Sequence, residues 1–302
     1  MKVIKNDYQN INIEENLTLT IGNFDGVHLG HQALIKEVCS FSDTKKALMT
    51  FYPHPHQVFK ADSYYELATL EEKIASIAAF DLDYLLIVNF KENFYQLDKN
   101  EFILFLKKIN VVRLVIGRDF RFAKGALGTV SDLKEHFDVI IMEDVKSNHQ
   151  RVSTSAIKTL IKAAKFEEAA ALLTRPYQIK GKVVEGNKVG RTLGVPTANL
   201  EVGAYLLPRN GVYLVEVLLD NKIYAGALNI GYNPSINQSK TKKVEVHILD
   251  FDANIYGKDL LLTFLNFLRP EKKFSTKEEL IQQMMADLRK CQKLFLESHN
   301  KL

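Results

Sequence analysis

Two histidines flank a glycine in the segment His28-Leu29-Gly30-His31, which follows Gly22-Asn23-Phe24-Asp25-Gly26. Imidazoles donate hydrogen bonds to phosphate oxygens, and a glycine lets an anion approach the backbone where a side chain would block it. A turn with this combination of residues can hold a triphosphate. Histidines beside glycines also occur in ordinary polar turns, so the motif alone leaves both interpretations open.

The residues around this motif predict a strand followed by a helix. Leu17 to Ile21 is an apolar run typical of a buried strand, whereas Leu34, Val38 and Phe41 recur at helical spacing. The motif therefore lies where the helix begins, and there unpaired N–H groups and the helix dipole favour anions. We expect Gly30 to admit a phosphate at this turn and both imidazoles to reach it from the side.

The composition indicates a globular chain of 302 residues with 46% hydrophobic and 25% charged residues, long enough for about two domains. A net charge of +4 is too small to indicate a nucleic-acid or anionic-membrane partner. The first residues lack the apolar stretch of a signal peptide and no apolar run reaches membrane-spanning length, so we expect a cytoplasmic protein. Cys39 and Cys291 lie in apolar helical patterns, which favours buried free thiols over a disulfide.

The two halves of the chain differ in their pattern of apolar residues. Up to about residue 174, short apolar runs alternate with helical segments, which predicts a parallel sheet covered by helices. After Arg175-Pro176, strand-like runs separated by Gly, Asn and Pro predict an antiparallel sheet or small barrel with a terminal helix. The predicted fold is therefore α/β in residues 1–174 plus β in residues 175–302. The predicted strands are 17–21, 47–51, 84–88, 111–116, 139–142, 179–184, 212–219, 223–230, 244–251 and 260–264.

Capping boxes predict where three of the helices begin. Thr69 with Glu72, and Asp98 with Glu101, have the spacing that satisfies the first N–H groups of a helix. Ser275 with Glu278 predicts the start of the last helix in the same way. That helix carries an apolar stripe, which we interpret as facing the core.

The segments of this chain, taken in order, resemble the bacterial bifunctional riboflavin kinase/FAD synthetase family. The resemblance covers nearly the whole chain and implies a Rossmann-like nucleotidyltransferase domain followed by a riboflavin kinase barrel. The first domain would join AMP from ATP to FMN, giving FAD and pyrophosphate. The segments in the first half are 22–31, Thr50-Phe51-Tyr52-Pro53-His54-Pro55 and Gly117-Arg118-Asp119-Phe120-Arg121-Phe122.

The resemblance also assigns residues to the first reaction. His28 and His31 would contact the ATP phosphates and stabilise the transferring group. The same turn would supply further ATP contacts through Gly22, Asn23, Phe24, Asp25 and Gly30. The flavin contacts would come from Phe51, His54, Asp119 and Phe120. Ala123 stands where the family usually has glycine, which bears on the geometry of that turn.

The segment Ser153-Thr154-Ser155-Ala156-Ile157-Lys158 departs from the family, which usually has Ser-Ser-Thr-Arg-Ile-Arg here. By resemblance Ser153, Thr154, Ser155 and Lys158 would hold the pyrophosphate end of ATP. Lysine supplies a point charge without the planar fork of arginine, so we expect a functional but weaker ATP site. A helix-capping role for Ser153 or Ser155 is the competing interpretation, and both roles can coexist.

The segment from Gly181 to Asn199 resembles the riboflavin kinase signature of the family. By resemblance Thr197 and Asn199 would hold Mg²⁺ and the phosphates, because hydroxyl and amide oxygens suit this ion. The loop that would close over ATP contains Gly186, Gly190, Arg191 and Gly194. Glycines in a β-rich half often mark only hairpin turns, which remains the alternative.

Glu245 matches the catalytic glutamate of the family and would receive the proton of the riboflavin ribityl hydroxyl during phosphoryl transfer. Strand alternation places it on one face with His247 and Leu249. Arg269, in Leu268-Arg269-Pro270-Glu271, would contact nucleotide or flavin. An exposed strand carboxylate and a surface charge cluster are the competing interpretations of Glu245 and Arg269.

The predicted function is phosphorylation of riboflavin to FMN by the second half and adenylylation of FMN to FAD by the first, each with ATP and Mg²⁺. The alternatives are a chain that retains only one activity and a flavin- or nucleotide-binding regulator without turnover. Aminoacyl-tRNA ligases share the His-x-Gly-His pattern, but the chain lacks their Lys-Met-Ser-Lys-Ser segment. The expected partners are riboflavin, FMN, FAD and ATP, with neither nucleic acid nor membrane.

Overall fold

The computed structural model describes residues 1–148, 150–186, 194–232 and 242–299. It divides the chain into two compact units, Met1–Ala156 and Ile157–Leu302. The helix Thr154–Lys162 spans this division, and the helix Phe166–Leu173 belongs to the second unit. The sequence predicts that the first domain ends at residue 174 and the second begins at residue 175. This boundary between the two activities stays a prediction.

The first unit is built on a parallel sheet with the strand order β1-β4-β3-β2-β5-β6. All of the strands predicted for this half are present, with bounds shifted by at most a few residues. Strand β2 lies between β3 and β5, so the turn that follows it lies near the middle of the edge formed by the carboxyl ends of the strands. The strands are β1 Lys2–Asn6, β2 Leu17–Ile21, β3 Lys45–Tyr52, β4 Tyr84–Asn89, β5 Val111–Gly117, β6 Asp138–Met142 and the short hairpin β7 Lys146–Ser147 and β8 Gln150–Arg151.

The helices of this unit begin where the sequence signals place them. Both predicted capping boxes form, Thr69 with Glu72 and Asp98 with Glu101. The first helix ends at Cys39, so Phe41 lies beyond it, although it packs in the same core cluster. The helices of the first unit are α1 Leu29–Cys39, α2 Pro55–Phe59, α3 Leu70–Ala78, α4 Glu92–Tyr95, α5 Lys99–Lys108 and α6 Val130–Lys134. They are followed by α7 Thr154–Lys162, which spans the division, and by α8 Phe166–Leu173 of the second unit.

The second unit is a closed antiparallel barrel with a long helix against its outer wall. The strand order is β10-β13-β12-β11-β14-β9, and β9 pairs with β10 to close it. Closure buries the alternate side chains of each strand in a shared interior. The elements are β9 Gln178–Val184, β10 Ala198–Glu201, β11 Gly211–Leu219, β12 Lys222–Gly231, β13 Lys243–Ile248, β14 Asp259–Arg269 and α9 Lys277–His299.

Some predicted bounds in this unit were wrong. The strand predicted to reach Phe251 ends at Ile248, because Asp250 adopts a left-handed turn with φ of 55°. The cap of α9 is Thr276, whose hydroxyl accepts from the backbone N–H of Glu279 at 3.2 Å, and not Ser275. Glu279 in turn accepts from the backbone N–H of Ser275.

Both cysteines are free thiols, as predicted. Cys291 is buried in the contact between α9 and the barrel, and burial raises its pKa to about 12. Cys39 is only half-buried, which corrects the expectation that both are buried. Within the described residues, no helix combines the length and apolar character needed to cross a membrane.

Candidate active sites

The turn between β2 and α1 has a strained backbone. Phe24, Gly26 and Val27 all have positive φ, at 48°, 80° and 43°. Such conformations cost a non-glycine residue about 1–3 kcal/mol each and persist only where the surroundings enforce them. Phe24 and Val27 are buried in the core beneath α1, so packing holds the turn in this conformation.

This turn brings His28 and His31 together. Their rings stack with centroids 3.6 Å apart and an interplanar angle of 17°. His28 is the N-cap of α1, and its Nδ1 accepts from the backbone N–H of His31 at 3.4 Å. Its Nε2 lies 3.3 Å from the Thr154 hydroxyl, so a predicted phosphate residue from the end of the first unit reaches the same place.

Burial keeps both imidazoles neutral at pH 7. It lowers the pKa of His28 to about 4. The pKa of His31 is also lowered, first by burial and then by the neighbouring His28 and Lys73. The Nδ1 of His31 is buried without a hydrogen-bond partner among the described atoms, which is costly until a ligand or water bonds it. These rings therefore act as neutral hydrogen-bonding groups.

The stacked histidines line a cavity of about 280 Å³ whose wall combines apolar residues with charged and hydroxyl side chains; we call it the polar cavity. A Cβ on Gly30 would come within 3.2 Å of the His28 ring, so glycine keeps this wall clear. Asp119 lies here rather than in the aromatic cavity, and the Arg151 guanidinium at 2.7 Å holds its pKa below the usual range. The predicted residues that line the cavity are Gly22, Phe24, His28, Gly30, His31, Asp119, Phe120, Ser153 and Thr154.

The segment after β8 supplies both a cap and part of the cavity wall. The Ser153 hydroxyl accepts from the backbone N–H of Ala156 at 3.2 Å, which is an N-cap bond for α7. Ser153 also lines the polar cavity, so a capping role leaves it in reach of a ligand. Ser155 and Lys158 lie on α7 itself.

An aromatic cavity of about 670 Å³ shares Ile21 and Phe120 with the polar one. Phe51, which the sequence assigns to flavin binding, lines this cavity, and so does Asn23. Ala123 also lines it with φ of 64°, a conformation that favours the glycine expected there. Sequence reasoning missed most of its aromatic rings, although several follow the carboxyl end of β4. These are Phe59, Phe90, Phe94, Tyr95, Phe102 and Phe122.

Two other predicted residues of the first unit have local roles. His54 caps α2, with its Nδ1 accepting from the backbone N–H of His56 at 3.0 Å, and its ring lies 5.2 Å from that of Tyr64. His54 is not among the residues that line the aromatic cavity. Asp25 is buried, and its Oδ1 accepts from the backbone N–H of Leu67 at 2.8 Å. This bond connects the β2–α1 turn to the segment that precedes α3.

The second unit presents polar side chains at one level of its barrel wall. Glu245 on β13 pairs in register with Asn199 on β10 and with Asn229 on β12. Directly opposed residues in antiparallel strands share a face, so these three lie in a row on the outside of the barrel. The Glu245 carboxylate also forms an ion pair with Lys243 at 2.7 Å, which the sequence analysis did not foresee.

This row borders a cavity of about 390 Å³ between the barrel wall and α9. Thr197 and Glu245 line it, together with Arg269. The Arg269 guanidinium bonds both carboxylate oxygens of Asp287 on α9, at 2.7 to 3.0 Å. Arg269 is therefore held in the cavity wall by the helix that covers it.

Glycine is required at Gly186 because a Cβ there would overlap the Asn199 amide. Gly194 has φ of 78°, which also favours glycine. The predicted residues Gly190 and Arg191 lie outside the described residues.

The described part of the chain contains no group of three or more His, Cys, Asp or Glu side chains arranged as metal ligands. Thr197 and Asn199 offer oxygen donors at the barrel wall, beside the cavity that Glu245 lines. Such donors fit Mg²⁺ that takes its other ligands from water and nucleotide phosphates.

Comparisons with known proteins match both units. A family model described as FAD synthetase matches residues 10–156, and one described as riboflavin kinase matches residues 173–295. The chain is similar along its length to a solved structure titled "Macrolide-efflux Protein" from Streptococcus pneumoniae. That match has a TM-score of 0.85 and 28% identity, and it covers 96% of this chain and 98% of the other.

Three curated relatives carry the name bifunctional riboflavin kinase/FMN adenylyltransferase. The protein of Listeria monocytogenes is 36% identical over 90% of each chain. Those of Bacillus subtilis and Escherichia coli are 33% and 34% identical, over 92% and 91% of each chain. Two family matches in the expected order, together with identities above 30% over nine-tenths of the length, show that this chain belongs to the bifunctional riboflavin kinase/FMN adenylyltransferase family of enzymes.

Proposed function

We propose that the second unit phosphorylates riboflavin with ATP and that the first unit adenylylates the resulting FMN with a second ATP. The observation that carries the proposal is the pair of adjoining cavities in the first unit. One is polar and contains the stacked histidines, the other is lined with aromatic rings, and they share Ile21 and Phe120. A flavin ring in the aromatic cavity would direct its phosphate toward ATP in the polar one.

In the adenylylation step, an FMN phosphate oxygen attacks the α-phosphorus of ATP. The bond from that phosphorus to the bridging oxygen of the β-phosphate breaks, and pyrophosphate leaves. The nucleophile is already an anion, so positioning and electrostatic stabilisation supply the catalysis. His28 and His31 would donate hydrogen bonds to the transferring group, with Thr154 and Ser153 toward the leaving pyrophosphate. Phe51 and Phe120 would contact the flavin ring.

In the kinase step, the ribityl hydroxyl of riboflavin attacks the γ-phosphorus of ATP and ADP leaves. Glu245 would receive the hydroxyl proton, and its place on a central barrel strand fixes where the carboxylate lies. The cavity beside Arg269 would hold the flavin, with ATP near Gly186 and Thr197. Mg²⁺ bound to the nucleotide would neutralise phosphate charge at Thr197 and Asn199.

A cytoplasmic location is part of the same proposal. Its support is that Cys39 and Cys291 are both free thiols, as is usual in a reducing compartment. The partners in this proposal are small molecules, namely riboflavin, FMN, FAD and ATP.

The test is incubation of the full chain with riboflavin and magnesium ATP, followed by chromatographic separation of riboflavin, FMN and FAD. We expect FMN to form first and FAD to follow. A second reaction that starts from FMN isolates adenylylation. FMN without FAD in both reactions would leave only the kinase, consistent with Ala156 and Lys158 in the pyrophosphate segment. Binding of flavin without either product would favour a regulator.

A further inference from the structure

We propose that Lys73 is a positioning residue for adenylylation, because its ammonium fixes the peptide between Asn23 and Phe24 where the two cavities of the first unit meet. The inference rests on the proposed transfer of AMP to FMN. It adds a buried cation from α3 to a site that includes the β2–α1 turn, the residues after β5 and the segment before α7.

The contact that carries the inference is a hydrogen bond from Lys73 to the turn. Its Nζ donates to the Asn23 carbonyl oxygen at 2.8 Å, and the residue is only 6% exposed. The Thr50 hydroxyl on β3 donates to the same oxygen at 3.2 Å. A buried lysine is rare because desolvation of the charge is costly, so its presence beneath this turn calls for a compensating interaction.

The surrounding charges supply that compensation. Burial lowers the pKa of Lys73, and the nearby carboxylates of Asp25 and Glu66 oppose this. Asp25 belongs to the same turn and is bonded to the backbone N–H of Leu67, shortly before α3. The turn is therefore held to the α3 region by both a carboxylate and an ammonium.

The hydrogen bond from Lys73 determines where the opposite side of the peptide points. In a trans peptide the carbonyl and the following N–H point in opposite directions. With the Asn23 carbonyl directed to Lys73, the N–H of Phe24 points away from it. Asn23 lines the aromatic cavity and Phe24 the polar one, so the peptide that joins them lies where the two cavities meet. In the proposed arrangement its N–H is available to the phosphates of flavin and ATP.

The strained backbone gives the hydrogen bond its importance. Phe24 has φ of 48°, and rotation of the preceding peptide would relieve that strain while turning the N–H inward. Two donors on the Asn23 carbonyl oppose this rotation. Without Lys73, we expect the turn to sample orientations that no longer offer the Phe24 N–H to a phosphate.

The test compares Lys73→Met, Lys73→Arg and Thr50→Val in the full chain, with Lys36→Met as the matched control. Lys36 is an exposed lysine on α1. FAD formation from saturating FMN and ATP gives kcat and KM for adenylylation, and FMN formation from riboflavin reports on the second unit. For Lys73→Met we expect a fall in adenylylation kcat of roughly 10- to 100-fold, which is the usual effect of removing a residue that orients an active-site group. The KM for ATP should change by less than about threefold, because the lost interaction acts mainly in the transition state.

Further outcomes separate positioning from general damage. Lys73→Arg should recover most of the kcat, Thr50→Val should lose a smaller part of it, and riboflavin phosphorylation should stay unchanged throughout. The Phe24 amide resonance should shift in Lys73→Met but not in Lys36→Met. An adenylylation kcat within twofold of wild type in Lys73→Met would overturn the inference while leaving the proposed function intact. A wild-type chain that makes no FAD from FMN would overturn both.

Discussion

Acidification should destabilise the first unit through His28. Its pKa is about 4 in the folded protein, against about 6.5 in an unfolded chain. Between these values the unfolded chain binds a proton that the folded chain does not, so the free energy of unfolding falls as the pH decreases. Above pH 6.5 the group has no effect, and by pH 5 the loss from His28 alone is about 2 kcal/mol. The lowered pKa of His31 acts in the same direction.

The assay is urea unfolding of the full chain at pH 7.5 and pH 5.0, followed by circular dichroism and by hydrogen exchange in β2 and β3. His28→Gln is neutral at both pH values, so it should lose about 2 kcal/mol less stability than wild type between them. His136→Gln removes an exposed histidine and serves as the control. Equal losses in wild type and His28→Gln would refute the claim that burial of this imidazole depresses its pKa.

Three further substitutions test the second unit. Glu245→Gln should lower the rate of FMN formation about 100-fold or more while adenylylation of supplied FMN continues, because it removes a general base; unchanged kinase turnover would exclude that role. Gly186→Ala should raise the kinase KM for magnesium ATP, since the new Cβ displaces the Asn199 amide; steady-state kinetics at varied ATP would show it. Asp287→Asn should lower the free energy of unfolding by about 2 kcal/mol, because the Arg269 guanidinium loses a charged partner; urea midpoints that match wild type would contradict this.

Local sequence signals predicted those elements whose own residues specify them. β2 alternates Leu17, Leu19 and Ile21 with two threonines, all five residues are buried, and its bounds were predicted without error. β1 and β10 were missed because Lys2–Asn6 and Ala198–Glu201 are short and contain polar side chains. β1 is a strand because it pairs with β4, and β10 is a strand because it pairs with β9 and β13. These partners come from distant parts of the chain.

In the candidate sites, too, the sequence predicted the residues that belong to local motifs and missed a residue that acts through a distant contact. Motif spacing located His28 with His31, and alternation placed Glu245 on the same face of its strand as His247; that this face is the outer one came from the structure. The sequence did not predict a role for Lys73, because that role depends on the Asn23 carbonyl in the β2–α1 turn, which is distant along the chain. Its own surroundings, Glu72-Lys73-Ile74, are typical of an amphipathic helix and give no sign of burial.

The closed barrel and the open sheet differ in how readily their strands can pair with strands of another chain. Among the described strands of the barrel, each has a neighbour on both sides along part of its length, so none is a free edge from end to end. The sheet of the first unit ends at β1, where the exposed Val3 lies between Lys2 and Lys5, and at β6, where Ile141 is exposed without a neighbouring lysine on its strand. Charged side chains discourage edge pairing, whereas exposed apolar ones permit it. Aggregation on storage or during refolding should therefore begin along β6, and a lysine at Ile141 should suppress it.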